Sequence, residues 1–326
     1  MKTSPIVTTA AGAFAILVAV LVSPGTGWTA ESAQPQAAAH ARRAAKAPMV
    51  AAARAGNRLM SVGDHGIVLL SDDEGKSWRQ ARSVPTRSLL TGVWFVNDTL
   101  GWAVGHGGVV LQTRDAGETW NVQHTAASDL ALLSVWFGDE RHGIAVGSFG
   151  RAIETQDGGK SWKQIELGQG DDRDRHLNQI FPGTGDTLFV AAEAGTIFRS
   201  SDAGKSWKTL KPAYKGSFWN GMMLRGGSIL IVGMRGNVFC SGDNGDTWHA
   251  VHTGTTQALS GITQLPDGRI VLVGMSGTVL VSSDGGRSFA SRTRSDRLNL
   301  TSVAATGDGK VVLLGQSGVS SDVIGQ

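Results

Sequence analysis

The sequence predicts an all-β protein, a seven-bladed β-propeller of four-stranded antiparallel blades. An octapeptide of the form Ser/Thr-x-Asp-x-Gly-x-Ser/Thr-aromatic occurs six times, and the gaps between successive aspartates are 42, 42, 45, 41 and 41 residues. Short apolar runs, rather than helical stripes, lie between the copies. A fixed period near forty with such runs is typical of a propeller in which one repeat forms one blade.

Each octapeptide is expected to form a hairpin turn between the third and fourth strands of a blade. Its Asp is expected to accept hydrogen bonds from turn amides and hydroxyls, and its Gly permits a left-handed backbone. The aromatic residue buries a large ring at the blade edge. We therefore assign a structural role, rather than a catalytic one, to the six aspartates, which are Asp73, Asp115, Asp157, Asp202, Asp243 and Asp284.

The repeat contains four strand positions, which we call A to D from the propeller axis outward. In blade 2 they are expected at 90–96, 101–104, 109–113 and 120–124. Blade 1 and blades 3 to 6 follow at about 48–83, 129–167, 175–211, 215–253 and 257–293. Every strand C contains two consecutive apolar residues, such as Val110 and Leu111, which indicates that both faces of the blade are covered.

A seventh blade is predicted without an octapeptide. A Gly or Ala marks the end of each strand B, and a step of 41 residues from Gly274 reaches Gly315. Strand A is expected at 298–304, followed by strand B and a short strand C, and the sequence stops before a strand D. This leaves an open edge, for which residues 34–47 are a candidate outer strand despite their poor β-propensity.

The N-terminal residues predict export. One early cation, an apolar run at 10–22 and small residues after it are typical of a secretory signal peptide at 1–30. Residues 31–47 are rich in Ala, Gln and Arg and are expected to form a flexible linker, and residues 48–326 form the propeller. A basic tail of this kind allows at most peripheral membrane contact.

Charge and cysteine content exclude some function classes. The sequence has 30 basic and 27 acidic residues, and four of the basic residues and one acidic residue lie in the first 46, which leaves 26 of each for the propeller. A neutral body makes nucleic acid an unexpected partner. Cys240 is the single cysteine, so no intrachain disulfide forms, and its place in strand C of blade 5 suggests a partly exposed side chain.

The octapeptides resemble the Asp boxes, or BNR repeats, of sialidases, and we call them Asp boxes below. Over residues 48–320 the chain resembles the photosystem II stability/assembly factor family and its relatives in non-photosynthetic bacteria. The resemblance depends on the six boxes and on the segments 93–95 and 135–137, each followed by Gly-x-Ala-Val-Gly at 101–105 and 143–147. It implies an assembly or accessory factor, in the periplasm or the thylakoid lumen, whose partner is a membrane-protein complex or an assembly intermediate. We expect the exported protein to be a monomer.

The alternative function is a glycoside hydrolase or carbohydrate-binding protein of the sialidase-like type. A sialidase needs an Arg cluster and a Tyr nucleophile assisted by Glu. Tyr214 is the single tyrosine, and the Phe/Tyr-Arg-Ile-Pro segment of those enzymes is absent. His65 and His106 occupy equivalent turns of blades 1 and 2, but no carboxylate at a matching third position completes a metal site. We therefore expect no catalysis, no cofactor and no metal.

The predicted partner site lies on one face of the propeller. Because strand direction alternates, the D–A connections and B–C turns share a face, and the Asp boxes lie on the opposite face. Cations and aromatic residues, which anchor many protein interfaces, concentrate on the box-free face; ordinary solvated loops are the alternative explanation. The candidate partner-binding residues are Arg87, His106, Arg175, His176, Tyr214, Lys215, Arg235, Arg294 and Arg297.

Overall fold

Seven antiparallel sheets follow one another along the chain in the computed structural model, which describes residues 36–126 and 130–322. Six sheets have four strands in the order A-B-C-D, and the seventh has three. Strand A of each blade packs beside strand A of the next, and strand A of blade 7 packs beside that of blade 1. The chain is therefore a closed, all-β, seven-bladed propeller, as the sequence predicts.

The strands of blades 1 to 4 agree closely with the predicted positions. They are Met49–Ala55, Arg58–Gly63, Val68–Ser71 and Arg79–Gln80 in blade 1, and Leu90–Phe95, Gly101–Gly105, Val110–Thr113 and Asn121–His124 in blade 2. Blade 3 has Leu132–Phe137, Gly143–Gly147, Ala152–Thr155 and Lys163–Gln164, and blade 4 has Leu177–Pro182, Leu188–Ala192, Ile197–Ser200 and Lys208–Leu210.

Blades 5 to 7 continue the same order. Blade 5 has Phe218–Met223, Ile229–Gly233, Val238–Ser241 and His249–Val251, and blade 6 has Leu259–Gln264, Ile270–Gly274, Thr278–Ser282 and Ala290–Thr293. Blade 7 has Leu300–Ala305, Val311–Gly315 and Gly318–Asp322. The helical turns in the described residues are 3-10 turns at Ala44–Lys46, Asp64–Gly66, His106–Gly108, Gly170–Asp172, Met234–Gly236 and Met275–Gly277.

The hydrophobic core lies between neighbouring blades. Strand B of blades 2 to 7 is buried at every position, because a blade covers each of its faces. Between blades 2 and 3, for example, the buried Trp102 ring stacks on Phe137 with a centroid distance of 3.5 Å. Cys240 is buried between blades 5 and 6, so the expectation of a partly exposed thiol is wrong. Burial also raises the pKa of this thiol, which disfavours the reactive thiolate.

Each Asp box has the hydrogen bonds expected of a turn lock. In blade 2, Asp115 accepts from the Thr113 hydroxyl at 2.9 Å, and from the amide and the hydroxyl of Thr119 at 2.9 and 2.6 Å. The indole of Trp120 donates to the carbonyl of Gly117 at 3.0 Å. The same carboxylate bonds occur in the other five boxes. Each of the six carboxylates is therefore engaged within its own turn.

The boxes also join neighbouring blades, which the sequence did not indicate. The box glycine of each blade packs against the same position in strand B of the preceding blade, and we call this contact the inter-blade joint. The pairs are Gly117 with Met60, Gly159 with Trp102, Gly204 with Ile144, Gly245 with Phe189, Gly286 with Leu230 and, between blades 1 and 7, Gly75 with Val312. A Cβ at any of these glycines would lie closer than an ordinary van der Waals contact to a side chain of the preceding blade, so each box positions a blade as well as a turn.

Residues 36–47, expected to form a flexible linker, instead lie against blades 1 and 7; we call them the strap. Ala38 donates its amide to Val84 O at 2.9 Å, and Gln80 donates to Ala39 O at 2.9 Å. The strap belongs to the same compact unit as the blades. Residues 36–47 are therefore packed against the blades and do not form a flexible linker. The predicted signal peptide lies outside the described residues.

The strap meets blade 7 without forming its missing strand. Its 3-10 turn, Ala44–Lys46, packs beside strand C of blade 7, where Ala45 O lies close to Gly318. No strand D pairs with Gly318–Asp322 within the described residues. An Ala-rich segment has little β-propensity, which explains why it covers this edge as a turn.

Candidate functional site

The nine candidate partner-binding residues lie on one face, as the alternation of strand direction requires. His106 and Arg235 belong to B–C turns, and the other seven belong to D–A connections or border them. We call this the B–C face. The structure nevertheless divides the nine residues into those that line a common groove and those that do not.

A groove with a volume of about 740 Å³ lies between blades 4 and 5 on the B–C face. Four of the candidate residues line it, namely Arg175, Tyr214, Lys215 and Arg235. Glu193 and Met234, from the B–C turns of the two blades, complete much of its wall. The groove therefore combines cationic, aromatic and apolar surface within one depression.

The turn that carries Arg235 is held in place by its neighbours. Met234 O accepts hydrogen bonds from the Tyr214 hydroxyl at 3.0 Å and from the Asn237 side chain at 2.9 Å. Arg235 itself has a φ of 57°, a left-handed conformation that is uncommon for a residue with a side chain. The turn thus presents an exposed guanidinium at a fixed point of the groove.

Tyr214 is a wall of the groove and not an activated nucleophile. Its ring packs on Phe218 and Phe239 with centroid distances of 4.9 and 5.7 Å. Burial raises the pKa of its hydroxyl, although Arg235 opposes this shift. Because the hydroxyl already donates to Met234 O and its pKa is raised, the geometry does not favour the sialidase-type role that the sequence left open.

The groove cations differ in how far they are paired. Arg175 contacts Asp172 at 3.4 Å, and Lys211 contacts the same carboxylate at 2.9 Å. Arg235 and Lys215 have no ion pair within residues 36–126 and 130–322, and both are exposed. These two charges are therefore available to an anionic partner.

An exposed aromatic pair lies in the neighbouring B–C turn and D–A connection. Phe149 is 62% exposed, and its ring lies 4.6 Å from that of His176 between centroids. The His176 amide donates to Glu193, one of the groove residues, at 3.0 Å. The aromatic pair thus adjoins the groove, and Phe149 is the most exposed large hydrophobic side chain in the described part of the chain.

The remaining candidate residues do not join the groove. Arg87 donates to Gln36 at 2.9 Å and to Ala37 O at 3.1 Å, so its charge helps to hold the strap. Arg294 pairs with Asp296 at 2.7 Å and with Asp322 at 3.4 Å. His106 and Arg297 are exposed but do not line the groove.

Sequence reasoning missed Met234 as a groove residue. It is 37% exposed, and a large apolar side chain beside an Arg at a turn tip was the available signal.

Within the described ranges no group of three or more His, Cys, Asp and Glu side chains is placed to hold a metal ion. The same ranges contain no helix long and apolar enough to cross a membrane.

The Asp boxes make stability sensitive to acid. Hydrogen bonds from the box hydroxyls and amides lower the pKa of Asp73, Asp157, Asp202 and Asp243 from 3.8 to about 2. A carboxylate whose folded pKa is depressed stabilises the fold above its unfolded pKa, and this stabilisation is lost as pH falls towards the folded value. We expect the urea midpoint to be constant above about pH 5 and to fall steeply between about pH 4 and pH 2.

The variant Asp243→Asn tests whether the Asp-box carboxylates cause this loss of stability at low pH. This variant is expected to unfold at lower urea near neutral pH and to lose less stability on acidification than the original chain. Asp171→Asn is the control, since Asp171 is exposed and its side chain makes no hydrogen bond within the described residues. Identical acid dependence for all three proteins would contradict the assignment.

The family described as photosynthesis system II assembly factor YCF48 matches residues 116–273. The comparison with curated proteins gave no match.

Solved structures similar to the chain include "YCF48 bound to D1 peptide", with a TM-score of 0.70, 16% identity, and coverage of 90% of this chain and 100% of that one. YCF48 from Cyanidioschyzon merolae has a TM-score of 0.65 at 16% identity, with coverage of 84% and 94%. A streptogramin B lyase has a TM-score of 0.71 at 10% identity, with coverage of 85% and 95%.

Identities this low establish the fold alone, since the same fold occurs in an enzyme as well as in assembly factors. The family match adds the repeat type. The chain is therefore a BNR-type β-propeller that resembles the photosystem II assembly factor YCF48.

Proposed function

We propose that the chain is an exported, non-catalytic propeller that binds a protein partner during the assembly of a membrane-protein complex. The observation that carries the proposal is the groove between blades 4 and 5, where the exposed and unpaired Arg235 and Lys215 lie beside Tyr214 and Met234. Arg, Tyr and Met are enriched at protein interfaces. The resemblance to YCF48, which one solved structure shows bound to a D1 peptide, supports the same type of partner.

The chemistry of the groove specifies the partner further. Two unpaired cations favour a segment that carries carboxylates, either side chains or a chain terminus. The exposed Phe149 and Met234 provide apolar contact at two turns of the same face. We infer that the partner presents an acidic segment with an apolar side chain, and that the propeller acts as a monomer in the periplasm or, in a photosynthetic organism, in the thylakoid lumen.

Support for a non-catalytic role comes from the groups that would carry glycoside chemistry. The Tyr214 hydroxyl is engaged by Met234 O, and the box carboxylates are occupied by turn donors on the opposite face. No observation favours the hydrolase alternative over the binding function.

The test is partner capture by the double variant Arg235→Ala/Lys215→Ala. We expect at least a tenfold loss of affinity, about 1.4 kcal/mol, because both unpaired cations are removed from the groove. The melting temperature should not change, since neither side chain makes an ion pair within the described residues. Capture is measured in a pull-down from envelope extract, with captured membrane proteins identified and quantified by mass spectrometry.

The matched control is Lys76→Ala/Lys205→Ala, which removes two exposed cations from Asp boxes on the opposite face. It changes the net charge equally and should leave capture intact. Equal capture by both double variants, or loss only in the control, would show that the partner does not bind in this groove.

A further inference from the structure

A second cavity lies at the axis of the propeller and has no part in the proposed protein binding. It has a volume of about 700 Å³ and is lined by strand A of all seven blades. None of its lining residues belongs to the groove between blades 4 and 5. Its size falls within the range of about 300–1,000 Å³ that is usual for small-molecule sites.

The described lining of the axial cavity contains no unpaired charge. Arg54 is the single charged residue in the part of the lining that the structure describes. The guanidinium of Arg54 donates to both carboxylate oxygens of Glu74, at 3.0 and 2.7 Å, and to Ala305 O at 3.1 Å. An ionic ligand would find no free counter-charge among these residues, and moving an ion out of water without one is unfavourable. The cavity therefore selects a neutral ligand.

Some polar side chains of the lining form hydrogen bonds between neighbouring blades. Side chains of strand A donate to a carbonyl of the next strand A, as Asn178 does to Phe218 O at 2.7 Å and Asn220 to Ser260 O at 2.9 Å. Thr301 does the same to Met49 O at 2.6 Å, which links blade 7 to blade 1. These bonds fix the two Asn amides in place and use only their NH₂ groups.

Other polar groups of the lining are available. The amide oxygens of Asn178 and Asn220 accept no hydrogen bond from the described residues. The side chains of Gln179, Ser302 and Trp219 make none with those residues either. The cavity thus offers fixed amide acceptors, an amide that both donates and accepts, a hydroxyl and an indole N–H.

Aromatic surface accompanies these polar groups. Trp94 and Trp219 both line the cavity and are partly buried. Trp94 is fixed by its bond from Nε1 to Phe137 O at 2.9 Å. Trp219 stacks on no other ring of the described residues, so its ring remains available to a ligand.

We propose that the axial cavity binds a neutral, polyhydroxylated ligand of mono- or disaccharide size. Such a ligand has hydroxyl groups that both donate to Asn178 and Asn220 and accept from Gln179 and Trp219. Its C–H groups provide apolar faces that pack on an aromatic ring. A purely apolar ligand would leave these amides unpaired, and an ionic one would lack a counter-charge.

The test is isothermal titration calorimetry of the full chain with glucose, N-acetylglucosamine, maltose and cellobiose, and with glucuronate as the anionic comparison. At least one neutral sugar is expected to bind saturably, and glucuronate at least tenfold more weakly than that sugar. Trp219→Ala should weaken binding at least tenfold. Gln179→Ala is the second variant, which keeps the test decisive if Trp219→Ala does not fold.

Two controls separate this site from the groove. Val122→Ala changes an exposed residue on strand D of blade 2 and should leave the affinity unchanged. Arg235→Ala/Lys215→Ala should also retain sugar binding, whatever its effect on protein capture. The proposal is overturned if no neutral sugar gives saturable heat at millimolar concentration, if glucuronate binds as tightly, or if the cavity variants bind as the original chain does.

Discussion

Replacing Gly245 with alanine is expected to lower the free energy of unfolding by about 2–5 kcal/mol, the sum of backbone strain and overpacking. Gly245 has a φ of 84°, a conformation that a residue with a Cβ resists. The added Cβ would also lie 2.6 and 2.9 Å from two ring carbons of Phe189 in the preceding blade. Phe189 is fully buried, so its ring has no free space to move into.

The variant Gly285→Ala separates backbone strain from overpacking. Gly285 has a φ of 77° in the Asp box of blade 6, and a Cβ there would meet no atom within 4 Å. Gly285→Ala should therefore lower the free energy of unfolding by only about 1–2 kcal/mol, the part that comes from backbone strain. Urea denaturation followed by tryptophan fluorescence measures both variants. Equal losses would mean that the inter-blade joint contributes nothing to stability.

Removal of the strap is expected to cost about 2–6 kcal/mol, because at least four hydrogen bonds of about 0.5–1.5 kcal/mol each are lost. They are the bonds from Ala38 N to Val84 O, from Gln80 to Ala39 O, from Ala41 N to Gln80, and from Arg87 to Ala37 O. The truncated protein also uncovers part of strand C of blade 7. An uncovered strand edge pairs readily with other chains, so self-association should increase.

The experiment compares chains that begin at Pro48 and at Gln36, each with an added initiator Met. Urea denaturation gives the stability difference, and size-exclusion chromatography with light scattering gives the association state. An unchanged unfolding midpoint together with a monomeric truncated protein would indicate that the strap is dispensable.

The propeller itself was predictable because its signals are local and repeated. Each Asp box places Asp, Gly and the aromatic residue within eight positions, and a turn of this kind folds in the same way in every copy. The step from Gly274 to Gly315 located blade 7 for the same reason. Strand ends differ from prediction by one or two residues, as for strand A of blade 7, which begins at Leu300 and not at 298.

The strap was not predictable because nothing in its own composition indicates order. Its position depends on distant residues, such as Gln80, Arg87 and Gly318, which meet it only in the folded chain. The joints were not predictable for a related reason, since a box glycine and its strand B partner lie at least 56 residues apart, as in Gly245 with Phe189.

The candidate site was predicted at the level of a face but not of a groove. Strand direction alone placed all nine residues on the B–C face. The pairing of Arg87 with Gln36 and of Arg294 with Asp322 depends on contacts between the ends of the chain and the blades. Those contacts neutralise Arg294 and engage the exposed Arg87 with the strap. Among the described residues, Arg235 and Lys215 are left as the groove cations without an ion pair.

Every inter-blade joint connects a box glycine to strand B of the preceding blade. This fixed order affects how a propeller of this kind could gain or lose a repeat. Blades 1 to 5 each carry a box glycine that fits the preceding blade and, in strand B, a position that receives the glycine of the next blade, whereas blade 6 contributes only the glycine. A tandem duplication of one repeat would therefore supply both halves of a new contact at once. Blade 7 has no Asp box, so the boundary between blades 6 and 7 lacks a joint of this kind within the described residues. Gain or loss of a repeat at that boundary would disturb the fewest joints.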